Sequence, residues 1–198
     1  MVLVIDKIIK IHQPRPRDKV ISEIAKRWSP RHYSQEKIPT KHINIIFEAA
    51  RWSPSGHNYQ PWYFYFAKKG TSAYNKLFST LDKYNQSWAK TAPLLILACA
   101  ITSNIEGKKN IYAFYDLGAA SFSLILQAQS LGYYSRQMAL FDKQKVKEFF
   151  KLKKNLAPYV IIAMGKIGDY KKASKQVVGY ELDPRPRKTN LAKELKTL

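Results

Sequence analysis

Four apolar segments of the chain have the length and composition of β-strands. They are an aromatic run from Trp62 to Ala67, a fully apolar run from Leu94 to Ala100, a short segment that starts at residues 133–136, and a third apolar run from Pro158 to Gly165. The run from Leu94 to Ala100 contains no polar side chain, which is typical of a strand that is buried on both faces.

Apolar residues at helical spacing predict helices before, between and after these strands. The first predicted helix covers residues 18–28, begins at an Asp18 cap and places apolar side chains on one face, namely Val20, Ile21, Ile24 and Trp28. The others are a helix capped by Thr40 that ends near Trp52, short helices within 71–90, a long helix over 110–131 that ends at Gly132, and a helix from Asp142 to Phe150. Helices outnumber strands in a mixed order, which indicates the α+β class.

The long helix differs from the others because it is apolar on nearly all sides. Small residues from Gly118 to Ser121 would let another element pack very close to it. A chain of 198 residues can bury several faces of one helix most easily by pairing with a second copy. The pattern therefore favours a homodimer.

The ends of the chain differ in composition from its centre. Residues 1–17 are expected to be an N-terminal extension that ends in Pro-Arg-Pro-Arg, and residues 18–198 a single domain whose polar tail after residue 168 carries a second Pro-Arg-Pro-Arg. No apolar run reaches the roughly 18 residues of a membrane helix, and no signal peptide is recognisable. We expect a soluble, cytoplasmic protein with no membrane partner.

The net charge of the chain is large, but it does not by itself indicate one function class. The chain carries 34 Lys+Arg against 14 Asp+Glu, a formal charge of +20. Most of the basic residues are lysines, and they are scattered, whereas a nucleic-acid-binding protein usually concentrates them on one element. A lysine-rich solvated surface is the favoured interpretation, and binding to nucleic acid remains the alternative.

Common catalytic signatures are missing from the sequence. It has no nucleophile elbow, no zinc-protease motif and no phosphate-binding loop, and its four histidines show no metal spacing. The single cysteine, Cys99, lies within an apolar strand, where a thiolate would be poorly stabilised. A chain so short of reacting groups indicates that a bound cofactor supplies the chemistry.

Two polar segments could bind such a cofactor. The segment Arg27-Trp28-Ser29-Pro30-Arg31 offers two guanidinium groups and a hydroxyl, which suit a phosphate, although it could also be a charged helix end. The segment from Ser53 to Trp62 (SPSGHNYQPW) offers paired donors and acceptors at a loop-to-strand corner, although it could equally be a structural loop.

In combination, these segments make the sequence resemble the flavin-dependent nitroreductase family. The resemblance rests on Arg27-x-Ser29-x-Arg31 followed by Pro54-Ser55-x-x-Asn58-x-Gln60-Pro61-Trp62. It continues with Asp116-x-Gly118-x-Ala120, Gln137-Met138-x-x-Phe141-Asp142, the strand from Pro158 to Gly165 and Arg187-Lys188-x-x-Leu191, and so covers residues 18 to about 195. It implies an α/β sandwich with a mixed, mostly antiparallel sheet flanked by helices, in a homodimer whose C-terminal tails wrap the partner subunits.

The resemblance also implies that FMN binds at the dimer interface. Arg27 and Ser29, with Trp28 between them, match the phosphate-binding segment, and Arg185 or Arg187 would complete the clamp after threading to the other subunit. Arg31 matches a position at the flavin's pyrimidine edge, where a cation stabilises the reduced ring. Ring and ribityl contacts are implied for Pro54, Ser55, Gly56 and Asn58, and for Gln137, Met138 and Ala139, with a backbone N–H near Met138 or Ala139 facing N5.

The expected activity is reduction of nitroaromatics, quinones or other electron-poor acceptors by ping-pong hydride transfer from NADH or NADPH. Asn85 and Trp88 fall in the region that shapes the substrate pocket, although Trp88 could equally be a core residue. Ala139-Leu140 stands where relatives often carry two glycines, which predicts a smaller substrate face. A related flavoenzyme that acts on one specific metabolite, as an oxidase, dehalogenase or enone reductase, is the alternative.

Overall fold

A single four-stranded sheet forms the centre of the protein. The computed structural model describes residues 2–13, 16, 19–104, 106–188 and 191–192. Its strands are β1 (Trp62–Lys68), β2 (Leu94–Ile101), β3 (Tyr134–Met138) and β4 (Leu156–Gly165), in the order β1-β2-β4-β3. All pairings among them are antiparallel. All four predicted strands are confirmed, and the α+β class with them.

The two central strands, β2 and β4, are buried on both faces. Alternate residues of β2 supply two separate cores: Leu95, Leu97 and Cys99 enter one, and Leu94, Ile96, Ala98 and Ala100 enter the other. Both faces of the sheet therefore need a covering of helices, and the sequence supplies them.

The helices of the described chain lie on both sides of the sheet. In chain order they are α1 (Val2–His12), α2 (Ser22–Lys26), α3 (Thr40–Arg51), α4 (Ser72–Ser79), α5 (Lys83–Ala89), α6 (Ala113–Ser130), α7 (Lys143–Phe150) and α8 (Lys175–Glu181). Helices α3 and α6 cover one face, through side chains such as Ile43 and Leu124. Helices α4, α5 and α7 cover the other, through Tyr74, Trp88 and Val146.

The long helix α6 packs one side on the sheet and leaves the opposite side uncovered. Leu117, Ala120 and Leu124 are fully buried, while Phe114, Tyr115 and Phe122 are exposed. The helix ends as predicted, since Gly132 follows it with a φ of +80°, a conformation that glycine adopts without strain. The second buried face that the sequence implied is not supplied within this chain.

The predicted helix over 18–28 is wrong in its length. Only α2, five residues long, forms there, and it contributes no buried residue. Val20, Ile21 and Ile24 are exposed, and Trp28 lies beyond the helix end in an extended segment. The apolar spacing reflects a surface that is not covered within one chain. The predicted Asp18 cap lies outside the described residues.

The cap of α3 also differs from the prediction. Pro39 occupies the N-cap position and Thr40 is the first helical residue. The Thr40 hydroxyl accepts a hydrogen bond from Lys68 Nζ at 2.9 Å instead of closing the helix end. In contrast, Asp142 caps α7 as predicted, because its carboxylate accepts from the Lys145 N–H at 2.9 Å.

Two helices at the chain ends were not predicted. Most of the N-terminal extension is helix α1, whose Ile8 is buried in the same core as Trp88. The polar tail contains α8, which Ser174 caps by accepting from the Val177 N–H.

Within the described residues, no helix combines the length and apolarity that a membrane crossing requires.

Gly168 is expected to tolerate no side chain. A Cβ there would lie 2.7 Å from the carbonyl carbon of Tyr33 and 2.6 Å from the His32 ring. Because backbone cannot move aside cheaply, Gly168→Ala should lower the free energy of unfolding by about 2 kcal/mol in urea denaturation.

The matched control is Gly179→Ala in α8, where a Cβ would meet no atom within 4 Å. It should raise stability by about 0.5–1 kcal/mol through helix propensity alone. Equal effects of the two substitutions would contradict the close approach at Gly168.

Candidate functional site

Residues 27–29 form one wall of a hollow beside α6. Arg27 has extended backbone, with φ −60° and ψ 128°, so neighbouring side chains point to opposite sides. Arg27 and Ser29 line the hollow, and Arg27 Nη1 donates to Ser29 Oγ at 3.2 Å. Trp28 points away from it into the core, where its ring stacks on His12 at 3.8 Å.

We call this cavity the Arg27 hollow. Its volume is about 460 Å³, within the range of small-molecule sites. Its lining comes from the Arg27 segment, from β3 and from α6: Arg27, Ser29, Ser135, Arg136, Gln137, Phe122 and Ile125. The Ser135 hydroxyl is buried there without a hydrogen-bond partner. A buried hydroxyl with no partner indicates that a polar ligand belongs in the hollow.

A smaller cavity of about 250 Å³, the Ser121 hollow, adjoins the first, since Gln137 lines both. Its other lining residues are Leu117, Gly118, Ser121, Ala139, Lys143, Tyr159 and Val160. The Ser121 hydroxyl is also buried and unpartnered. Three consecutive residues at the end of β3 and just after it were assigned to the cofactor. Of these, Gln137 and Ala139 reach the hollows, while the Met138 side chain lies in the core.

Two guanidinium groups line the Arg27 hollow, those of Arg27 and Arg136, and those of Arg185 and Arg187 lie close to Arg27. Arg27, Arg136, Arg185 and Arg187 form no ion pair in the part of the chain that the structure describes. Burial lowers the pKa of Arg27 below its ordinary value, and the charge of Arg187 lowers it further. Arginine nevertheless stays protonated in proteins, so these charges remain to attract an anion.

Arg136 was not recognised from the sequence, although it lines the hollow. Its Nη1 donates to the Ser29 carbonyl at 2.6 Å, and its guanidinium lies 5.5 Å from the centre of the Trp88 ring. No motif marks an arginine on an edge strand. Only the placement of β3 beside residues 27–29 gives it a role.

The two tail arginines have different surroundings. Arg185 donates to three backbone carbonyls, those of Arg27 at 2.6 Å, His12 at 2.9 Å and Ala25 at 3.1 Å. Arg187 is exposed and donates to the carbonyls of Arg185 and Pro186. Both arginines approach Arg27 of their own chain. Threading of the tail to a second subunit stays a prediction.

Arg31 contacts acidic and aromatic groups rather than either hollow. Its Nη1 lies 3.4 Å from Oε1 of Glu181, and its Nε donates to the Tyr84 hydroxyl at 3.2 Å. Glu181 is 1% exposed, and burial raises its pKa above the ordinary value while Arg31 opposes that rise. The role expected for Arg31 at a flavin ring stays a prediction.

The loop from Ser53 to Trp62 holds three non-glycine residues in the left-handed conformation. The φ angles are +50° at His57, +56° at Asn58 and +48° at Gln60. Such strained conformations persist only where neighbouring groups fix them, and they concentrate at functional sites. The sequence indicated a turn here but not this backbone geometry.

Hydrogen bonds within the loop and from α6 fix its shape. The Gly56 N–H donates to the buried carboxylate of Asp116 at 3.1 Å, and the Gln60 N–H donates to Ser55 Oγ at 3.0 Å. Gln60 Nε2 donates to Asn58 Oδ1 at 3.2 Å, which leaves the Asn58 amide NH₂ as the donor for a ligand. A Cβ on Gly56 would lie 2.9 Å from the Tyr112 ring. Packing within the same chain is therefore enough to favour a glycine at this position.

The loop and the hollows lie on opposite sides of α6. The loop meets the helix at Asp116 and at Ser123, which accepts from Ser53 Oγ at 2.8 Å. Ser121 and Ile125, which line the hollows, are turned by roughly 140° to 180° from these positions around the helix axis. One chain therefore does not bring Pro54, Ser55, Gly56 or Asn58 to Arg27.

Asn85 and Trp88 line neither hollow. Asn85 donates from its amide to Asp82 at 2.6 Å, and Trp88 is 1% exposed within the core. Their assignment to a substrate pocket stays a prediction.

Among the described residues, no group of three or more His, Cys, Asp or Glu is arranged to hold a metal ion.

Comparison with known proteins identifies relatives across most of the chain. The model of the nitroreductase family matches residues 24–78 and 66–166. A 15.4 kDa uncharacterised protein of Mycolicibacterium smegmatis is 35% identical over 121 residues, which are 60% of this chain and 80% of that protein. A Bacillus subtilis protein provisionally named an NAD(P)H nitroreductase is 25% identical over 74% of this chain and 88% of its own length.

A solved structure described as an oxidoreductase containing FMN shares the fold closely. It is 28% identical, with a TM-score of 0.86, over 94% of this chain and 97% of its own.

Proposed function

The chain belongs to the nitroreductase family, and from this membership we propose that it is an NAD(P)H-dependent oxidoreductase that binds FMN in the Arg27 and Ser121 hollows. The observation that carries the proposal is the group of guanidinium ions around the Arg27 hollow. They have no carboxylate partner in the described chain, and an unpartnered Ser135 hydroxyl lies among them.

The residues present fit the chemistry of FMN. Its phosphate carries close to two negative charges at neutral pH, by analogy with other phosphomonoesters. Arg27 would bind it as a planar fork, with Ser29 and Arg187 adding donors. The Ser121 hollow, polar at Ser121 and Gln137 and apolar at Leu117 and Val160, would take the ring.

The chemistry that FMN supplies when bound is hydride transfer in two half-reactions, from NAD(P)H and then to a nitroaromatic, a quinone or another electron-poor acceptor. The chain's own contribution is electrostatic and steric. Its cations hold the phosphate, while a backbone N–H near Met138 or Ala139 would donate to the reacting nitrogen of the ring. Hydride transfer requires no side-chain acid, in keeping with the small number of reacting groups in the sequence.

The site is completed by a second copy of the chain. Because the strained loop contacts the side of α6 opposite to the hollows, Asn58 would serve the hollow of the partner subunit. The exposed apolar side of α6 supports this pairing, since Tyr115 is 84% exposed and Phe114 and Phe122 lie beside it. An uncovered apolar surface of this kind marks an interface. Analytical ultracentrifugation of a homodimer should give a molecular mass twice the 22.9 kDa of one chain.

The direct test is a flavin titration of the purified protein. We expect a yellow preparation, or one that binds about one FMN per chain on reconstitution, with the flavin absorbance bleached by NADH or NADPH without oxygen. Addition of a nitroaromatic or a quinone should restore the absorbance. A colourless protein that gains no flavin spectrum with added FMN would refute the proposal.

A further inference from the structure

We propose that helix α1 and Arg185 form a brace that holds residues 27–31 in the shape that binds phosphate, with His12 as its positioning residue. This inference rests on the proposed function. Helix α1 precedes the region that the family model matches, which begins at residue 24.

His12 joins three parts of the structure. Its ring stacks on the Trp28 ring at 3.8 Å with an interplanar angle of 13°. Its Nε2 lies 2.9 Å from the Glu181 carbonyl oxygen, which can only accept, so Nε2 carries the proton and donates. His12 thereby links α1 to the segment that contains Arg27 and to the end of α8.

Arg185 fastens the same parts through the backbone. Its guanidinium donates to the carbonyls of His12, Ala25 and Arg27, which belong to the end of α1, to α2 and to the phosphate-binding segment. A carbonyl is a neutral acceptor. The brace therefore fixes the segment while leaving the charge of Arg185 available to an anion.

The segment needs such support because its own anchoring is weak. Helix α2 contributes no buried residue. The stretch from α2 to Ser29 is therefore held in the core mainly by the apolar side chain of Trp28. Arg27, Arg185 and Arg187 also repel one another. Burial lowers the pKa of Arg27 and of Arg185, and the charge of Arg187 lowers both further. Without the brace, this repulsion would spread the cations before an anion could bring them together.

Residues 29–31 are held from the same side. Glu181 accepts from the Arg31 N–H at 2.9 Å, and Arg136 donates to the Ser29 carbonyl at 2.6 Å. Since Glu181 is also the residue whose carbonyl His12 binds, loss of the His12 side chain would loosen both ends of the segment. It would leave the Ser121 hollow unchanged, because none of these groups lines that cavity.

The test compares FMN with riboflavin, which lacks the phosphate, in the full-length His12→Ala variant. We expect the Kd for FMN to rise about tenfold, through loss of one stacking contact and one hydrogen bond, and the Kd for riboflavin to stay within about twofold. Quenching of flavin fluorescence measures both constants and is independent of turnover. Lys10→Ala, an exposed position on the same helix, is the matched control and should change neither constant.

Other outcomes separate the hypotheses. An equal loss of affinity for both ligands would make His12 a general structural residue, and an unchanged FMN affinity would remove the brace altogether; either result overturns the inference. If His12→Ala does not fold, His12→Gln keeps a donor without the ring and should raise the FMN constant about threefold, again without affecting riboflavin. A wild-type protein that binds neither flavin refutes the proposed function itself.

Discussion

Replacing Arg27 by alanine should weaken FMN binding about 100-fold while leaving the affinity for riboflavin nearly unchanged. A charge-assisted bidentate contact to a phosphate contributes about 3 kcal/mol when the remaining ligands cannot replace it, and 1.4 kcal/mol corresponds to a factor of ten. Arg27 lines the hollow and is half-buried, so water screens its charge less than it screens the charge of the exposed Arg187.

Lys26→Ala is the control for this substitution. Lys26 is the neighbouring residue, carries the same charge and is exposed at the end of α2. It should lower FMN affinity by less than about twofold, and the loss should disappear at high salt. If Lys26→Ala and Arg27→Ala had equal effects, the phosphate would be attracted by the net charge of +20 rather than bound by a specific group.

The sheet was predictable because burial on both faces leaves an unmistakable sequence pattern. Strands β2 and β4 admit only apolar side chains over most of their length, so their positions follow from composition alone. Helix α2 shows the opposite case. The apolar spacing of Val20, Ile21 and Ile24, in and before α2, was correct as a pattern. Those side chains are nevertheless exposed, since amphipathicity does not say which molecule covers the apolar face.

The binding segment was identifiable because two guanidinium groups and a hydroxyl within five residues suit a phosphate. Its backbone was not, since the sequence placed Arg27 and Trp28 in a helix, whereas the structure has an extended chain at Arg27 that turns Arg27 and Ser29 to one side. Arg136 and the carbonyl contacts of Arg185 were not identifiable, because they depend on which segments the fold brings together. Helix α1 was missed since its isoleucines could equally belong to an unstructured extension, and only docking against the Trp28 core settles its role.

The loop and the hollows lie on opposite sides of α6. This arrangement leads to a second prediction, which concerns heterodimers of two variants. In an Arg27→Ala homodimer both hollows are defective, and in an Asn58→Ala homodimer both loops are. A heterodimer of the two variants would contain one site with both changes and one site with neither, provided that Asn58 serves the partner's hollow. Purified through two different tags, it should bind about one FMN per dimer with wild-type affinity, measured at a concentration where each homodimer stays empty.

A second heterodimer, of Arg27→Ala with Arg187→Ala, is the matched control and decides the course of the tail. Arg187 lies near Arg27 of its own chain, so each site of this heterodimer would keep one defective cation, and neither should bind FMN more tightly than the Arg187→Ala homodimer does. Recovery in this pair would mean that the tail threads to the other subunit. Failure of the Arg27→Ala and Asn58→Ala pair to recover would instead place loop and hollow in one chain, against their positions on opposite sides of α6.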